Sequence, residues 1–185
     1  MNALETARSL RNLSFVRTAF QLVWAGLVAA TITHPPIPEI LLIAYPLWDV
    51  ACTLYDLSSS ASGSTRKTQI MNALLGAAAA IAIALNVFHT PAYAVAAFGV
   101  WALVAGLLQL VAGVARRKQM GGQWAMILSG AQSTLAGIAF TAGGLGGKVH
   151  IKDLGGYAIF GAVYFLIAGV LLHRKLSSSS TVATV

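Results

Sequence analysis

Six runs of about 20 almost wholly apolar residues, each ended by a short polar or proline-bearing connector, leave this chain little choice of fold. At 1.5 Å per residue, such a run crosses the ~30 Å hydrocarbon core of a bilayer as a helix. The runs fall at 15–33, 39–57, 69–88, 92–114, 124–142 and 154–173. Lipid offers no partner to an unpaired backbone N–H or C=O, so runs of this kind predict helices that satisfy their own backbone. The stop signals between them are His34-Pro35-Pro36-Ile37-Pro38, the small polar linker 58–65, His89-Thr90-Pro91, the basic Arg116-Arg117-Lys118, and a glycine-rich loop 143–147 leading into the polar piece 148–153. Composition agrees: 57% of residues are hydrophobic and only 9% charged, against about 25% charged in soluble domains. The expected architecture is all-α, a bundle of six transmembrane helices filling 15–174. Residues 1–14 read as an N-terminal lead-in, amphipathic or frayed, and 175–185 as a disordered tail.

Orientation follows from the lysines and arginines. Ten of the twelve lie before or in the first turn of span one, between spans two and three, between four and five, and after six; Lys148 and Lys152 alone lie on the other side. The positive-inside rule then places both termini in the cytoplasm of a bacterial cell, with the chain in its inner membrane. Arginines before an apolar run also open a signal peptide, but Arg17 and Gln21 interrupt this run and no clear A-x-A cleavage site follows, so it is taken as the first span. The net charge of +7 is spread over short clusters between apolar runs, a pattern that suits lipid headgroups and not nucleic acid. The expected partners are therefore the lipid bilayer and a second copy of this chain or another membrane protein.

Nothing here predicts catalysis. No Walker loop, Gly-x-Ser-x-Gly or His-Glu-x-x-His motif is present, and the Gly-Gly pairs at 121–122, 143–144, 146–147 and 155–156 read as turns between helices. No cofactor is expected. Cys52 stands alone inside an apolar run, so no disulfide, CxxC or metal site is expected. His34, His89 and His150 lie in or beside the non-cytoplasmic connectors; their spacing fits no metal-ligand motif, which leaves sensing of external acid as their alternative use.

The chain also repeats itself. Aligning 44–57 with 97–110 matches Trp48 to Trp101, Leu54 to Leu107, Asp56 to Gln109 and Leu57 to Leu110; the following helices match Gln69 to Gln123 and Gly76 to Gly130 after one inserted residue. Spans two-three (39–88) and four-five (92–142) thus read as one hairpin used twice. Residues 163–169 resemble 100–106, suggesting a third hairpin completed by span one beside span six. The pattern Gly-x-Trp-Ala-x-x-x-Gly-x-x-Gln-Leu at 99–110, a basic connector, and Trp124-Ala-Met-Ile-Leu-Ser-Gly-Ala-Gln-Ser-Thr-Leu-Ala-Gly137 resemble the HdeD-like family of small bacterial membrane proteins, across roughly 40–172. That resemblance implies a duplicated hairpin domain of unassigned activity and, through one member, a role in acid or envelope stress. It carries over no catalytic residues.

The candidate site lies in span two. Tyr45, Asp49, Cys52 and Asp56 recur at i, i+4, i+7 and i+11, one stripe of a helix. The two acids are about 10 Å apart along it. A carboxylate at mid-span costs roughly 2.5–3.5 kcal/mol, so Asp49 should turn inward and find a partner or a proton. Depth suggests Arg17 as the partner of Asp56 and Gln132 as the neighbour of Asp49, with Asn72, Gln21 and Gln109 in the cytoplasmic half. Pro46 frees a carbonyl one turn before Asp49. Two uses follow for these groups: hydrogen bonds between helices, about 0.6–2 kcal/mol each, or a polar, proton-binding passage at Asp49 in a small oligomeric transporter or channel. Glycines every seven residues, at 99, 106 and 113 and at 130 and 137, mark close helix contacts, within the bundle or between subunits.

Overall fold

The computed structural model describes residues 3–59, 64–116 and 124–182. The described residues form six helices: α1 (Ala3–Thr31), α2 (Ile37–Ser59), α3 (Ser64–Asn86), α4 (Pro91–Arg116), α5 (Trp124–Leu145) and α6 (Leu154–Val182), with one 3-10 turn at Ile151–Asp153 before α6. No strand occurs among the described residues. Five helices hold segments long and apolar enough to cross a membrane: Ala7–Thr31, Ile37–Ser58, Arg66–Asn86, Pro91–Val114 and Ile151–Ser177. α5 is the one expected span outside that set of segments within the described residues.

The connectors end the helices as their residues dictate. After Thr31, two hydrogen-bonded turns (His34 N–H to Thr31 O, 2.8 Å; Ile37 N–H to His34 O, 3.1 Å) carry the chain around Pro35 and Pro36. Pro38 and Glu39 fall in the first turn of α2, where a missing N–H costs nothing and a negative charge suits the helix dipole. Between α5 and α6, Gly147 takes φ 65°, a left-handed conformation that only glycine adopts freely, and Gly143 O accepts from the N–H groups of both Lys148 and Val149. Several expected boundaries move. From Ala3 the lead-in is continuous helix with α1, and α6 runs on to Val182 through most of the expected tail, with residues 1–2 and 183–185 outside the described set. Gly143 and Gly144 belong to α5 and Gly155 and Gly156 to α6, so these pairs are not turns; 121–122 lie outside the described residues.

The helices form a ring in chain order, each packed on the next, and α6 closes it against α1. The most extensive contacts are α4 with α5, then α1 with α6, then α2 with α3, so the ring is three antiparallel pairs. Phe15 meets Gly169, Arg17 meets Phe165 and Thr18 meets Ala162, which fixes the antiparallel sense of α1 and α6. The α4–α5 seam is glycine against backbone. A Cβ on Gly106 would lie 2.6 Å from Thr134 N and one on Gly130 2.6 Å from Leu110 N, while Gly99 and Gly137 abut Thr141 N and Leu103 N still more closely. The seven-residue glycine spacing thus serves a contact within the bundle, and Gly144 extends it against Ala96. The two hairpins pair in different registers, since Gly76 packs on Pro46 and Val50 whereas Gly130 packs on Gly106 and Leu110.

The apolar core fills only one half of the ring. It is built from Trp24 and Val28 of α1, Leu42 and Tyr45 of α2, Ala79, Ile83 and Val87 of α3, Val95, Phe98 and Trp101 of α4, and Leu154 and Ala158 of α6, all towards the end that holds the 3-10 turn. Every helix exposes large apolar side chains, among them Leu85 at 72%, Leu135 at 69% and Val111 at 67%. A water-soluble surface would not carry such side chains on every helix; a lipid-facing one does.

Candidate functional site at the α1–α2–α3 junction

α2 brings its stripe inward: Tyr45 and Cys52 are buried, Asp49 and Asp56 half-buried. Asp49 meets α1, where Arg17 Nη1 lies 3.2 Å from its Oδ1; the two side chains are 20% and 19% exposed. The other carboxylate oxygen, Oδ2, accepts from Asn72 Nδ2 at 2.8 Å, and the same amide reaches Thr53 Oγ1 at 3.1 Å. The Arg17 guanidinium also stands 5.1 Å from the centre of the Phe165 ring on α6, a favourable cation–π placement away from water. One ion pair and one amide thus tie α1, α2 and α3 together at mid-helix, with α6 packed behind them.

Two expected pairings change. Arg17 bonds Asp49 and not Asp56, because the tight turn after Thr31 sets the register: Arg17 and Asp49 stand almost equally far from it, and Asp56 lies about two helical turns further on. Asp56 accepts instead from Gln69 Nε2 across the α2–α3 hairpin. Gln132 does not reach Asp49, since ring order puts α3 beside α2 and leaves α5 across the bundle. Asn72, Thr53 and Gln69 are the partners that depth alone did not pick out. Counting outward from the α2–α3 connector pairs residue 56 with 69 and 53 with 72, a signal that was present in the sequence. Gln109, aligned with Asp56, also bonds across its hairpin, donating to Met126 O at 3.3 Å.

Tyr45 belongs to a different structure. Its ring touches five others: Phe20, Trp24, Phe98, Trp101 and Tyr157, at centroid distances of 5.9, 4.8, 5.5, 6.0 and 6.2 Å. Phe140 joins through Phe98 and Tyr157, so α1, α2, α4, α5 and α6 all contribute to one aromatic layer across the ring. Tyr157 reaches Ser133 Oγ at 3.1 Å. Trp24 Nε1 donates to Leu41 O at 2.7 Å, next to the carbonyl that Pro46 deprives of its helical donor. Pro46 itself is fully buried.

The loop histidines stay separate. His34 Nδ1 lies 3.1 Å from Thr33 Oγ1, and His150 bonds through its backbone N–H to Asp153 Oδ2 at 2.8 Å. Among the described residues, no three His, Cys, Asp or Glu side chains gather as a metal site.

Residues 71–142, from the first turns of α3 to the last turn of α5, match the family described as a short repeat of unknown function (DUF308). Neither the curated proteins nor the solved structures contain a match to the chain. The apolar helices suit a membrane protein, and the matched repeat spans α3 to α5.

Proposed function

We propose that the chain is a non-catalytic, multi-pass protein of a bacterial inner membrane, with both termini in the cytoplasm and six spanning helices. In the manner of the HdeD-like proteins it resembles, it acts in envelope stress or acid tolerance through its packing, its lipids or a membrane partner. α5 completes the six: its Leu135 and Ile138 face outward, 69% and 52% exposed, and it pairs with α4 along its length. The observation that carries the structural reading is the Arg17–Asp49–Asn72 network, in which both oxygens of the mid-helix acid are occupied by side chains of neighbouring helices. Such bonds fix helices in place within lipid. The test is survival of acid challenge by a host lacking the chain, complemented with the wild type or with Asp49→Asn. Equal survival with and without the wild type would remove the stress role.

A second reading, a small oligomeric transporter or channel working at Asp49, is favoured by one fact: the ion pair is one-fifth exposed and not sealed. Proton or ion flux into proteoliposomes, with Asp49→Asn as control, decides it. Identical flux in wild-type, mutant and protein-free vesicles would dispose of the passage.

A further inference from the structure

Where the turn after α1, the starts of α2 and α4 and the loop between α5 and α6 meet, they leave a partly open cavity of about 270 Å³. That is below the ~300–1,000 Å³ of sites that take drug-sized ligands, so its occupant is a small group. Ile32, Val95, Val149 and Ile151 make its wall mostly apolar, and Glu39 and His150 are the titratable side chains on it. The helix ends mark its depth: α1 stops at Thr31, α2 starts at Ile37, α4 at Pro91 and α6 at Leu154. In a bilayer, a space among the helix ends lies level with the lipid headgroups and not with the acyl chains.

Glu39 is an acid left without a partner. Asp49 meets Arg17, Asp56 accepts from Gln69, and Asp153 accepts from the backbone N–H of His150 with the imidazole 3.8 Å away. Glu39 is half-buried, its Oε2 makes no hydrogen bond, and no cation of the described residues pairs with it. The dipole of α2 offsets part of its charge, but a carboxylate drawn out of water calls for a counter-charge, and the cavity is the space from which one can come. A divalent metal ion would need several oxygen ligands, and no cluster of His, Cys, Asp or Glu gathers among the described residues. An organic ammonium needs one carboxylate, and its carbon stem suits the apolar wall. We propose that this cavity binds a primary ammonium on a short carbon stem, the group carried by an aminophospholipid headgroup and by small free amines, with its charge against Glu39. Lys148 and Lys152, in the same loop as His150, favour the headgroup: they repel a polyamine and suit the phosphate at the other end of the stem. The lipid source rests on the membrane reading above.

The test begins with membranes carrying the full chain, washed at alkaline pH. Release into the wash would overturn the membrane reading and the lipid source with it, leaving the ammonium site to be judged by a free amine. The purified protein in detergent is then titrated with short-chain phosphatidylethanolamine, with phosphatidylcholine and phosphatidylglycerol of the same chains, and with butylamine. Bound lipid is counted by mass spectrometry of the intact complex and butylamine by calorimetry. Phosphatidylethanolamine is expected to bind about tenfold more tightly than the trimethylated or the ammonium-free lipid, the worth of one charge-assisted hydrogen bond, and Glu39→Gln is expected to erase that preference. Ala92→Leu, which narrows the cavity and leaves the charge in place, should weaken the same binding and guards against a Glu39→Gln chain that fails to fold. Butylamine binding that is lost in Glu39→Gln, with no preference among the lipids, would assign the site to free amines. Lipids bound alike, together with butylamine binding that is absent or indifferent to Glu39→Gln, would overturn the proposal.

Discussion

Removing Asp49 alone should harm this protein more than removing Asp49 and Arg17 together. With Asp49→Leu, the guanidinium of Arg17 keeps its depth and its place over Phe165 but loses the carboxylate 3.2 Å away. Deleting one member of a fully buried pair costs about 3–5 kcal/mol. Here both side chains are about one-fifth exposed, so the lower end applies, about 3 kcal/mol. Arg17→Met is milder, about 2 kcal/mol, because Asn72 still donates to the carboxylate and the acid can take up a proton. In the double variant no charge is stranded; the Asn72 hydrogen bond, about 1 kcal/mol, and the cation–π contact with Phe165, about 0.5–1 kcal/mol, are lost. Unfolding of the purified protein in mixtures of a mild and a denaturing detergent, followed by tryptophan fluorescence, gives all three values. A double variant as unstable as the sum of the singles would show that the two charges do not act as a pair, and the account of the site would fail with it.

Gly137→Leu should separate α4 from α5, since even a Cβ at this position meets Leu103 N and Cα; a loss of about 2–3 kcal/mol in the same unfolding assay is expected, whereas Gly26→Ala, with nothing within 4 Å, should be neutral or gain about 0.5–1 kcal/mol. Tyr157→Phe removes the bond to Ser133 and should cost about 1 kcal/mol, with no change in the ring packing reported by near-ultraviolet dichroism. Asp56→Asn should fall within about 0.5 kcal/mol of wild type, because an amide can still accept from Gln69; a larger loss would mean that this position needs its charge.

The helices were legible because apolar runs of bilayer length admit one backbone solution. The glycine seam was legible too, since Gly99, Gly106 and Gly113 at heptad spacing already mark a contact line. The partners of the acids were not. Depth alone does not order helices around a ring, so it matches Gln132 to Asp49 and places Asn72, the partner, only in the cytoplasmic half. Register depends on where the connecting turn falls, and the turn between Thr31 and Ile37, which sets Arg17 level with Asp49, has no mark in a depth count. The aromatic layer left no periodic trace at all: Trp24, Tyr45, Phe98, Phe140 and Tyr157 are one or two residues on each of five helices, and only the closed ring gathers them.

The seam between α1 and α6 joins the earliest of the described helices in chain order to the latest. α2 with α3 and α4 with α5 can each pair as soon as they enter the bilayer, being neighbours in the chain. α1 must wait through the synthesis of four more helices before Phe165 arrives beside Arg17 and Ala162 beside Thr18. During that interval its inward face has only α2 to lean on, through Asp49 and the Trp24 bond to Leu41. The ion pair is thus placed to hold α1 in register against α2 before α6 closes the circle.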